Sequence, residues 1–219
     1  ANERCMFPPW ALVVIEECGE PLVDLADFNF ALEPAYFKAG LSESPRMLMR
    51  AGTAERLAEI QKGIAPFRFK IWDAWRPRDV QQKLHAALYG RRSAEHPDWS
   101  EEELAIEVLK YVNDGSDERI IPPHATGGTA DLTLVDREGA ELDMGTPFDH
   151  FGIEAAPQYF EEHGLDQRAI ANRALLRDAM LSGDFCPWPY EWWHFEYGTQ
   201  NWALTYGKPA ALYGLTNPQ

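Results

Sequence analysis

The sequence has 219 residues, of which 20 are basic and 35 acidic, so its formal net charge at neutral pH is −15. A chain this acidic is a poor partner for nucleic acid or an anionic membrane surface, because their phosphate groups repel it. The length suits one domain with a sizeable core, so we predict a single domain over residues 1–219, with an acidic insert at about 91–119.

Strands and helices are mixed along the first half of the chain. The predicted elements are a strand at residues 11–15, a loop-rich segment with a short helix at 22–40, a helix at 54–62 capped by Thr53, a strand at 67–72 and a helix at 79–89. In the insert, a capping box that begins at Ser100 opens a further helix. We expect this insert to be solvated and to pack over the sheet.

The second half of the chain continues this mixture. Residues 132–135 and 140–143 are predicted to form a hairpin. Asp166 is expected to cap a helix that runs through residue 181, with Gly183 beyond its end. Two or three terminal strands follow, one of them at residues 190–197. Because helices and strands do not alternate strictly, the order favours the α+β class over a doubly wound sheet.

Four residues of types found in zinc hydrolases stand out. His124 and Asp131 lie seven residues apart, and Glu191 and His194 enclose two tryptophans. Catalytic zinc usually takes three protein ligands from His, Asp, Glu or Cys, and a carboxylate can serve as the base for water. Each pair alone could also be a loop or a core strand that contains a satisfied histidine. Together they predict a zinc site assembled from two distant segments.

The two segments suggest different local geometry. The glycine pair at residues 127–128 lets the chain bend, which places His124 on a loop and Asp131 at the mouth of a buried strand. Residues three apart in a regular strand face opposite sides. If Glu191 and His194 share one site, the backbone must therefore bulge or turn there, and the nearby Pro189 is consistent with such an irregularity.

Four sequence blocks together resemble the zinc D-alanyl-D-alanine dipeptidases of the VanX type. The blocks are Asp-Ala-Trp-Arg-Pro at residues 73–77, His-Ala-Thr-Gly-Gly-Thr-Ala-Asp at 124–131, Met-Gly-Thr-Pro-Phe-Asp at 144–149 and Glu-Trp-Trp-His at 191–194. The first block is followed by a helix that contains glutamine. The resemblance runs from about residue 73 to 196, and the combination is more specific than any single block.

The resemblance implies a role for each matching residue. His124, Asp131 and His194 would bind one zinc ion, and Glu191 would be the general base and later the acid. Arg76 would support the oxyanion, and Asp149 would pair with the free amino group of a dipeptide. The implied fold is a small α+β domain with a central, mainly antiparallel sheet flanked by helices. His150, next to Asp149, is a further candidate as a partner within the pocket.

The sequence departs from the family pattern at positions that affect substrate choice. Pro122 and Pro123 stand where the family usually has a serine. The tyrosine of the family's N-terminal substrate loop has no counterpart in residues 23–30. D-Ala-D-Ala is therefore the favoured substrate, while another dipeptide, even one with an L residue, stays open. Two alternatives are a zinc D,D-carboxypeptidase that acts on peptidoglycan stem peptides and a non-catalytic zinc-stabilised binding module.

The cysteines say little about function. Cys5, Cys18 and Cys186 show no metal-binding spacing, and free thiols in a reducing compartment are favoured over a Cys5–Cys18 bridge. No stretch is long enough to span a membrane. The compartment stays open between cytoplasmic and exported, with the cytoplasm slightly favoured, and oligomeric state cannot be derived from the sequence.

Overall fold

The computed structural model describes residues 8–218 of the chain, and its elements mix strands and helices. The strands are β1 (Leu22–Asp24), β2 (Ala31–Leu32), β3 (Leu48–Arg50), β4 (Arg68–Asp73), β5 (Thr129–Val135), β6 (Cys186–Trp188) and β7 (Glu191–Glu196). The α-helices are α1 (Ala35–Lys38), α2 (Ala51–Gly63), α3 (Arg78–Glu95), α4 (Glu101–Leu109), α5 (Tyr159–Glu162), α6 (Gln167–Ser182) and α7 (Gln200–Thr205). This order confirms the α+β class.

Five strands form the sheet that carries the site, in the order β2-β4-β5-β7-β6. Only the β2–β4 pair is parallel, which confirms the mainly antiparallel sheet. β5 lies at the centre and every one of its residues is buried. Alternation along the strand sends Ala130, Leu132 and Leu134 into the core and leaves Asp131 on the opposite face. β1 and β3 form a separate antiparallel pair.

The main core joins this sheet to two helices. α2 and α6 contact each other, and they contribute Leu57 and Met180 to a cluster that also contains Leu134 of β5. Each fully buried side chain of this size stabilises the fold by about 1.5–3 kcal/mol. α6 begins as predicted, because the Asp166 carboxylate accepts hydrogen bonds from two backbone amides of the first turn. Gly183 follows its last residue, also as predicted.

The insert packs on a helix rather than over the sheet. The capping box at Ser100 is present and opens α4. α4 lies against α3, where Val108 and Val112 pack beside Leu84 and Leu88. The prediction was wrong in this respect because α3 already presents an apolar face, with Leu84 and Leu88, that α4 covers. The segment after α4 then reaches the site pocket described below.

Three local predictions were wrong. Residues 11–15 do not form a strand: a 3-10 turn spans Pro9–Leu12, and only Ile15 makes a bridge, to Ala211. α2 starts at Ala51, ahead of the predicted cap, and the Thr53 hydroxyl donates to Tyr213 instead. The hairpin after β5 is limited to a bridge between Val135 and Glu141 and one further hydrogen bond, so residues 140–143 form no strand.

Two further features complete the comparison with the sequence. α7 was not predicted, because its six residues are too few to show a helical pattern beside the aromatic strand. Cys18 is exposed and Cys186 is buried, whereas Cys5 lies outside the described residues, and with it the Cys5–Cys18 alternative. Within residues 8–218 no helix combines the length and apolarity needed to cross a bilayer.

Candidate metal centre and active site

The register of the sheet brings the four predicted zinc-site residues together. Asp131 is the third residue of β5 and lies directly opposite His194 on β7. His124 lies on a 3-10 turn, Pro123–Thr126, that precedes β5, and Gly127 follows that turn with a positive φ of 77°. Glu191 opens β7 and lines the same pocket as the other three. The loop placement of His124 is confirmed, while Asp131 lies inside the strand rather than at its mouth.

An irregularity in β7 allows Glu191 and His194 to share one pocket. Pro187 of β6 pairs with Phe195, yet the next residue, Trp188, pairs with Glu191. One step along β6 therefore corresponds to four steps along β7. The extra residues break the simple alternation of faces. The backbone irregularity that the three-residue spacing requires is thus confirmed.

Potential ligand atoms of three residues lie at the mutual distances that a zinc ion requires. His124 Nε2 is 3.3 Å from His194 Nδ1 and 3.3 Å from Asp131 Oδ2, and His194 Nδ1 is 3.2 Å from Asp131 Oδ1. Bonds of about 2.0–2.1 Å in tetrahedral geometry separate neighbouring ligands by roughly 3.3 Å. Asp131 Oδ1 is buried and has no hydrogen-bond partner. An orphaned carboxylate oxygen in this position fits a ligand to a metal ion.

The partners of each imidazole leave one nitrogen free to face the centre. His124 Nδ1 lies 2.7 Å from the carbonyl oxygen of Ala74, which can only accept, so Nδ1 carries the proton and Nε2 offers its lone pair. His194 Nε2 lies 3.0 Å from a Glu196 carboxylate oxygen, which leaves Nδ1 for the centre. Contacts of this kind fix the tautomer and orientation of metal-binding histidines.

The electrostatics of the centre favour a cation. Burial on its own would lower the pKa of His194, but the neighbouring carboxylates of Asp131 and Glu196 raise it to about 10. Burial raises the pKa of Glu191 well above its ordinary value, and the charges of Asp131 and Asp149 add to this effect. Carboxyl groups are thus crowded together in a buried place, where a divalent cation would favour their charged forms.

Arg76 is held rigidly beside the three ligand atoms. It lies in the connection between β4 and α3, and its Nε donates to Asp73 at 2.8 Å while one terminal nitrogen donates to Gln81 at 2.8 Å. The other terminal nitrogen donates to Asp131 Oδ2 at 3.2 Å, and the guanidinium stacks over the Tyr36 ring. Arg76 therefore points one nitrogen at the centre.

Asp149 faces the same pocket in a strained backbone conformation. Its φ of 59° lies in the left-handed region, which costs free energy for residues other than glycine and is best tolerated by Asn and Asp. Its carboxylate accepts a hydrogen bond from the Tyr36 hydroxyl at 3.2 Å. Burial, together with the charge of Asp131, raises the pKa of Asp149 to about 7.

Sequence reasoning missed Tyr36, which contacts both Arg76 and Asp149. The substrate-loop tyrosine was sought in residues 23–30, but the tyrosine that enters the pocket belongs to α1. The only hint of it in the sequence was indirect: the family has a substrate-loop tyrosine, and residues 23–30 contain none. The candidate His150, in contrast, pairs with Glu154 at 3.0 Å on the surface and does not line the pocket, so its predicted place there was wrong.

The insert forms a roof over the pocket, which sequence reasoning also missed. We define this roof by the pocket-lining residues at the end of α4 and just after it, together with two aromatic residues from other segments. They are Leu109, Tyr111, Val112, Asn113, Phe151 and Trp188. Trp188 Nε1 donates to the Lys110 carbonyl at 2.7 Å, and Gln81 Nε2 donates to the Asn113 carbonyl at 2.9 Å. The pocket holds about 480 Å³ of empty space, including the part open to solvent. That is near the small end of the range for ligand sites.

The family match agrees with this geometry. Residues 26–210 match the peptidase M15 family, which is described as D-Ala-D-Ala dipeptidase. The chain belongs to this family. The resemblance predicted from the four sequence blocks is thereby confirmed, and so is the prediction that the chain is a metallopeptidase.

Curated members of the D-Ala-D-Ala dipeptidase family are similar over much of the chain. The D-alanyl-D-alanine dipeptidase of Synechocystis sp. is 28% identical over 91% of this chain and 91% of its own length. That of Escherichia coli is 33% identical over 58% of this chain and 53% of its own length. That of Enterococcus faecalis is 28% identical over 70% of this chain and 73% of its own length.

Two solved structures are more distant from this family member. One is a vancomycin resistance D,D-pentapeptidase, VanY, in complex with Zn(II), which is 11% identical over 92% of this chain and 96% of its own, with a TM-score of 0.40. The other is VanYB in complex with D-alanine-D-alanine. It is 12% identical over 91% of this chain and 94% of its own, with a TM-score of 0.43. Similarities of this size are too weak to support a conclusion about this chain.

Proposed function

We propose that this member of the D-Ala-D-Ala dipeptidase family binds one zinc ion through His124, Asp131 and His194 and hydrolyses D-Ala-D-Ala or a closely related dipeptide. The observation that carries the proposal is the close approach of ligand atoms from these three residues, at separations of 3.2–3.3 Å, next to a buried Glu191. Zinc, when bound in such a site, lowers the pKa of a water molecule and polarises a substrate carbonyl.

Glu191 is placed to act on protons at the reaction centre. A carboxylate oxygen of Glu191 lies 3.7 Å from His194 Nδ1, one of the three ligand atoms, and the residue is buried. Its place beside the ligand atoms suits a general base that later returns the proton to the leaving amine, and burial raises its pKa in the direction that such a role needs. We therefore assign water activation to Glu191.

Arg76 is assigned to the oxyanion of the tetrahedral intermediate. Its contacts with Asp73 and Gln81 remove the freedom of the side chain, so its remaining donor is preorganised rather than recruited during the reaction. The donor that reaches Asp131 at 3.2 Å lies where it can also meet a substrate oxygen. A role confined to orienting Asp131 is the alternative, and kinetics separate the two.

Asp149 is assigned to the free amino group of the substrate. Its carboxylate lines the pocket, and Tyr36 holds it by one hydrogen bond. A substrate ammonium group would offset the burial and the charge of Asp131, which together raise the pKa of Asp149. The roof favours the same conclusion, because a small pocket lined on one side by the roof and holding an amine anchor suits a dipeptide better than a longer stem peptide.

Two alternatives are less well supported. A D,D-carboxypeptidase needs an open groove for the rest of the stem peptide, where this pocket is covered by the roof. A non-catalytic zinc-stabilised module has no use for a buried base or for a fixed arginine, and Glu191 and Arg76 are both buried at the centre.

A panel of dipeptides tests the proposed function. The purified protein, loaded with one equivalent of zinc, should hydrolyse D-Ala-D-Ala, and a chelator should abolish turnover that added zinc restores. L-Ala-L-Ala, the mixed stereoisomers and a D-Ala-D-Ala-terminated pentapeptide complete the panel. Faster cleavage of the pentapeptide would favour the carboxypeptidase, whereas zinc binding without hydrolysis of any of these would favour the binding module.

A further inference from the structure

Glu196 is a buried carboxylate for which the proposed reaction has no use. It is the last residue of β7, lies two positions beyond His194, and has no exposed surface. Within residues 8–218 no lysine or arginine forms an ion pair with it, and its ionic contact is His194. Burying a carboxyl group is costly unless its oxygens find partners, so its place behind His194 calls for an explanation.

The surroundings of Glu196 hold its carboxylate in one orientation. Oε1 accepts hydrogen bonds from His194 Nε2 at 3.0 Å and from Asn201 Nδ2 at 3.2 Å. Oε2 accepts a short hydrogen bond from the Thr199 hydroxyl. Thr199 caps α7 by accepting from the Trp202 amide at 3.1 Å, so its hydroxyl proton is directed at the carboxylate. The start of α7 therefore aims Glu196 at the His194 ring.

We infer that Glu196 is a positioning residue that holds His194 with its Nδ1 lone pair directed at the metal. A carboxylate accepts but does not donate, so the proton of the neutral imidazole is kept on Nε2. The negative charge also increases the basicity of the ring as a ligand. This inference rests on the proposed function, since it assumes that His194 binds zinc.

The two histidines of the centre are supported differently. His124 Nδ1 makes its hydrogen bond to a neutral backbone carbonyl, whereas His194 Nε2 makes its hydrogen bond to a buried carboxylate. The carboxylate–histidine–metal arrangement thus belongs to the β7 side of the site. A role limited to anchoring the turn before α7 is the competing explanation, because Thr199 and Asn201 bind the same carboxylate.

Zinc affinity distinguishes positioning from anchoring. We would measure the zinc dissociation constant by competition with a chromophoric chelator for the wild type, Glu196→Gln and Glu154→Gln. Loss of a carboxylate behind a metal-binding histidine weakens binding by about 10- to 100-fold, and we expect that loss in Glu196→Gln. Glu154→Gln is the matched control, because Glu154 makes a Glu–His contact of the same length, 3.0 Å, to His150 on the surface. Its affinity should match the wild type.

A variant of the anchor itself separates structural damage from the effect on the metal. Thr199→Val removes the cap of α7 and one donor to Glu196 while the contact between Glu196 and His194 stays. We expect Thr199→Val to lower the melting temperature and to change zinc affinity less than about threefold. An equal loss of affinity in Thr199→Val and Glu196→Gln would overturn the inference in favour of anchoring.

A measurement on the wild type keeps the inference testable if Glu196→Gln does not fold. Imidazole nitrogen and proton resonances of the zinc-loaded protein should show His194 as the Nε2–H tautomer, with its proton shifted downfield by the carboxylate. An Nδ1–H tautomer would overturn the inference. Failure of the wild type to bind zinc would refute the proposed metal site itself, whereas tight binding that Glu196→Gln leaves unchanged would refute only the role of Glu196.

Discussion

Replacing Asp149 with asparagine should stabilise the free protein and at the same time remove its preference for a free amine. The substitution keeps the shape of the side chain and suits the backbone, because Asn tolerates a φ of 59° about as well as Asp. The Tyr36 hydroxyl can still donate to the remaining oxygen at this position. What changes is the negative charge, so both effects can be attributed to it.

The stability effect follows from the raised pKa of Asp149. The difference between about 7 and the ordinary value of 3.8 corresponds to about 4 kcal/mol, at roughly 1.4 kcal/mol per pH unit. Asp149 is only half-buried and water in the pocket screens its charge, so we expect about 1–3 kcal/mol. Between pH 4 and 7 the folded state keeps a proton that the unfolded chain has lost, so this group makes the wild type less stable as the pH rises.

Urea unfolding of metal-free wild type and Asp149→Asn at several pH values measures this effect. The variant should be the more stable protein at pH 8, and its advantage should shrink as the pH falls towards 4. Asp184→Asn is the matched control, because Asp184 is an exposed aspartate with almost the same backbone conformation, φ 61°. If the difference in the free energy of unfolding between wild type and Asp149→Asn is the same at every pH in this range, the reasoning is refuted.

The catalytic effect is measured as a ratio of two substrates. An N-acetyl substrate leaves this carboxylate without a positive partner, and at the same cost of about 1–3 kcal/mol the wild type should prefer D-Ala-D-Ala over its N-acetyl form by roughly 10- to 100-fold in kcat/KM. In Asp149→Asn the ratio of the two kcat/KM values should fall below about tenfold, mainly because kcat/KM for free D-Ala-D-Ala decreases. Comparable kcat/KM values for both substrates in the wild type would refute the amine anchor and favour a carboxypeptidase.

Three further predictions concern the metal and the chemistry. His194→Ala should lose stoichiometric zinc in metal analysis while His150→Ala, the surface control, keeps it; full occupancy in the first would refute the ligand set. Glu191→Gln should keep zinc and lose about 10²–10⁴-fold in kcat, and near-normal turnover would show that Glu191 is not the base. Arg76→Lys keeps a charge but cannot make the three contacts of the guanidinium, so kcat should fall about 10²–10³-fold. A change confined to KM would instead assign Arg76 to uniform substrate binding.

The parts of the site that the sequence predicted are those encoded by local motifs. His124 and Asp131 are separated by a glycine turn and a strand, and the three-residue spacing of Glu191 and His194 required the irregularity that β7 shows. These features depend on short stretches whose backbone geometry is restricted. The four blocks also carried the family resemblance, which the match over residues 26–210 confirms.

The parts that the sequence did not predict depend on contacts between distant segments. Tyr36 reaches Asp149 across 113 residues, and no local pattern marks it as a pocket residue. The insert was expected to cover the sheet, because its apolar side chains show that a partner exists but not which surface provides it. Likewise, residues 11–15 have the composition of a strand, but within residues 8–218 only Ile15 of this segment forms a β-bridge, to Ala211.

Gln81 links two parts of the site that no backbone element joins. The oxygen of its amide group accepts a hydrogen bond from Arg76 at 2.8 Å, and the nitrogen of the same group donates to the Asn113 carbonyl of the roof at 2.9 Å. A flip of the amide would lose both bonds, because it would turn the donor towards Arg76 and the acceptor towards a carbonyl oxygen. The segment after α4 therefore fixes the orientation of the amide that holds Arg76, so a substitution in that segment can disturb the centre without touching it.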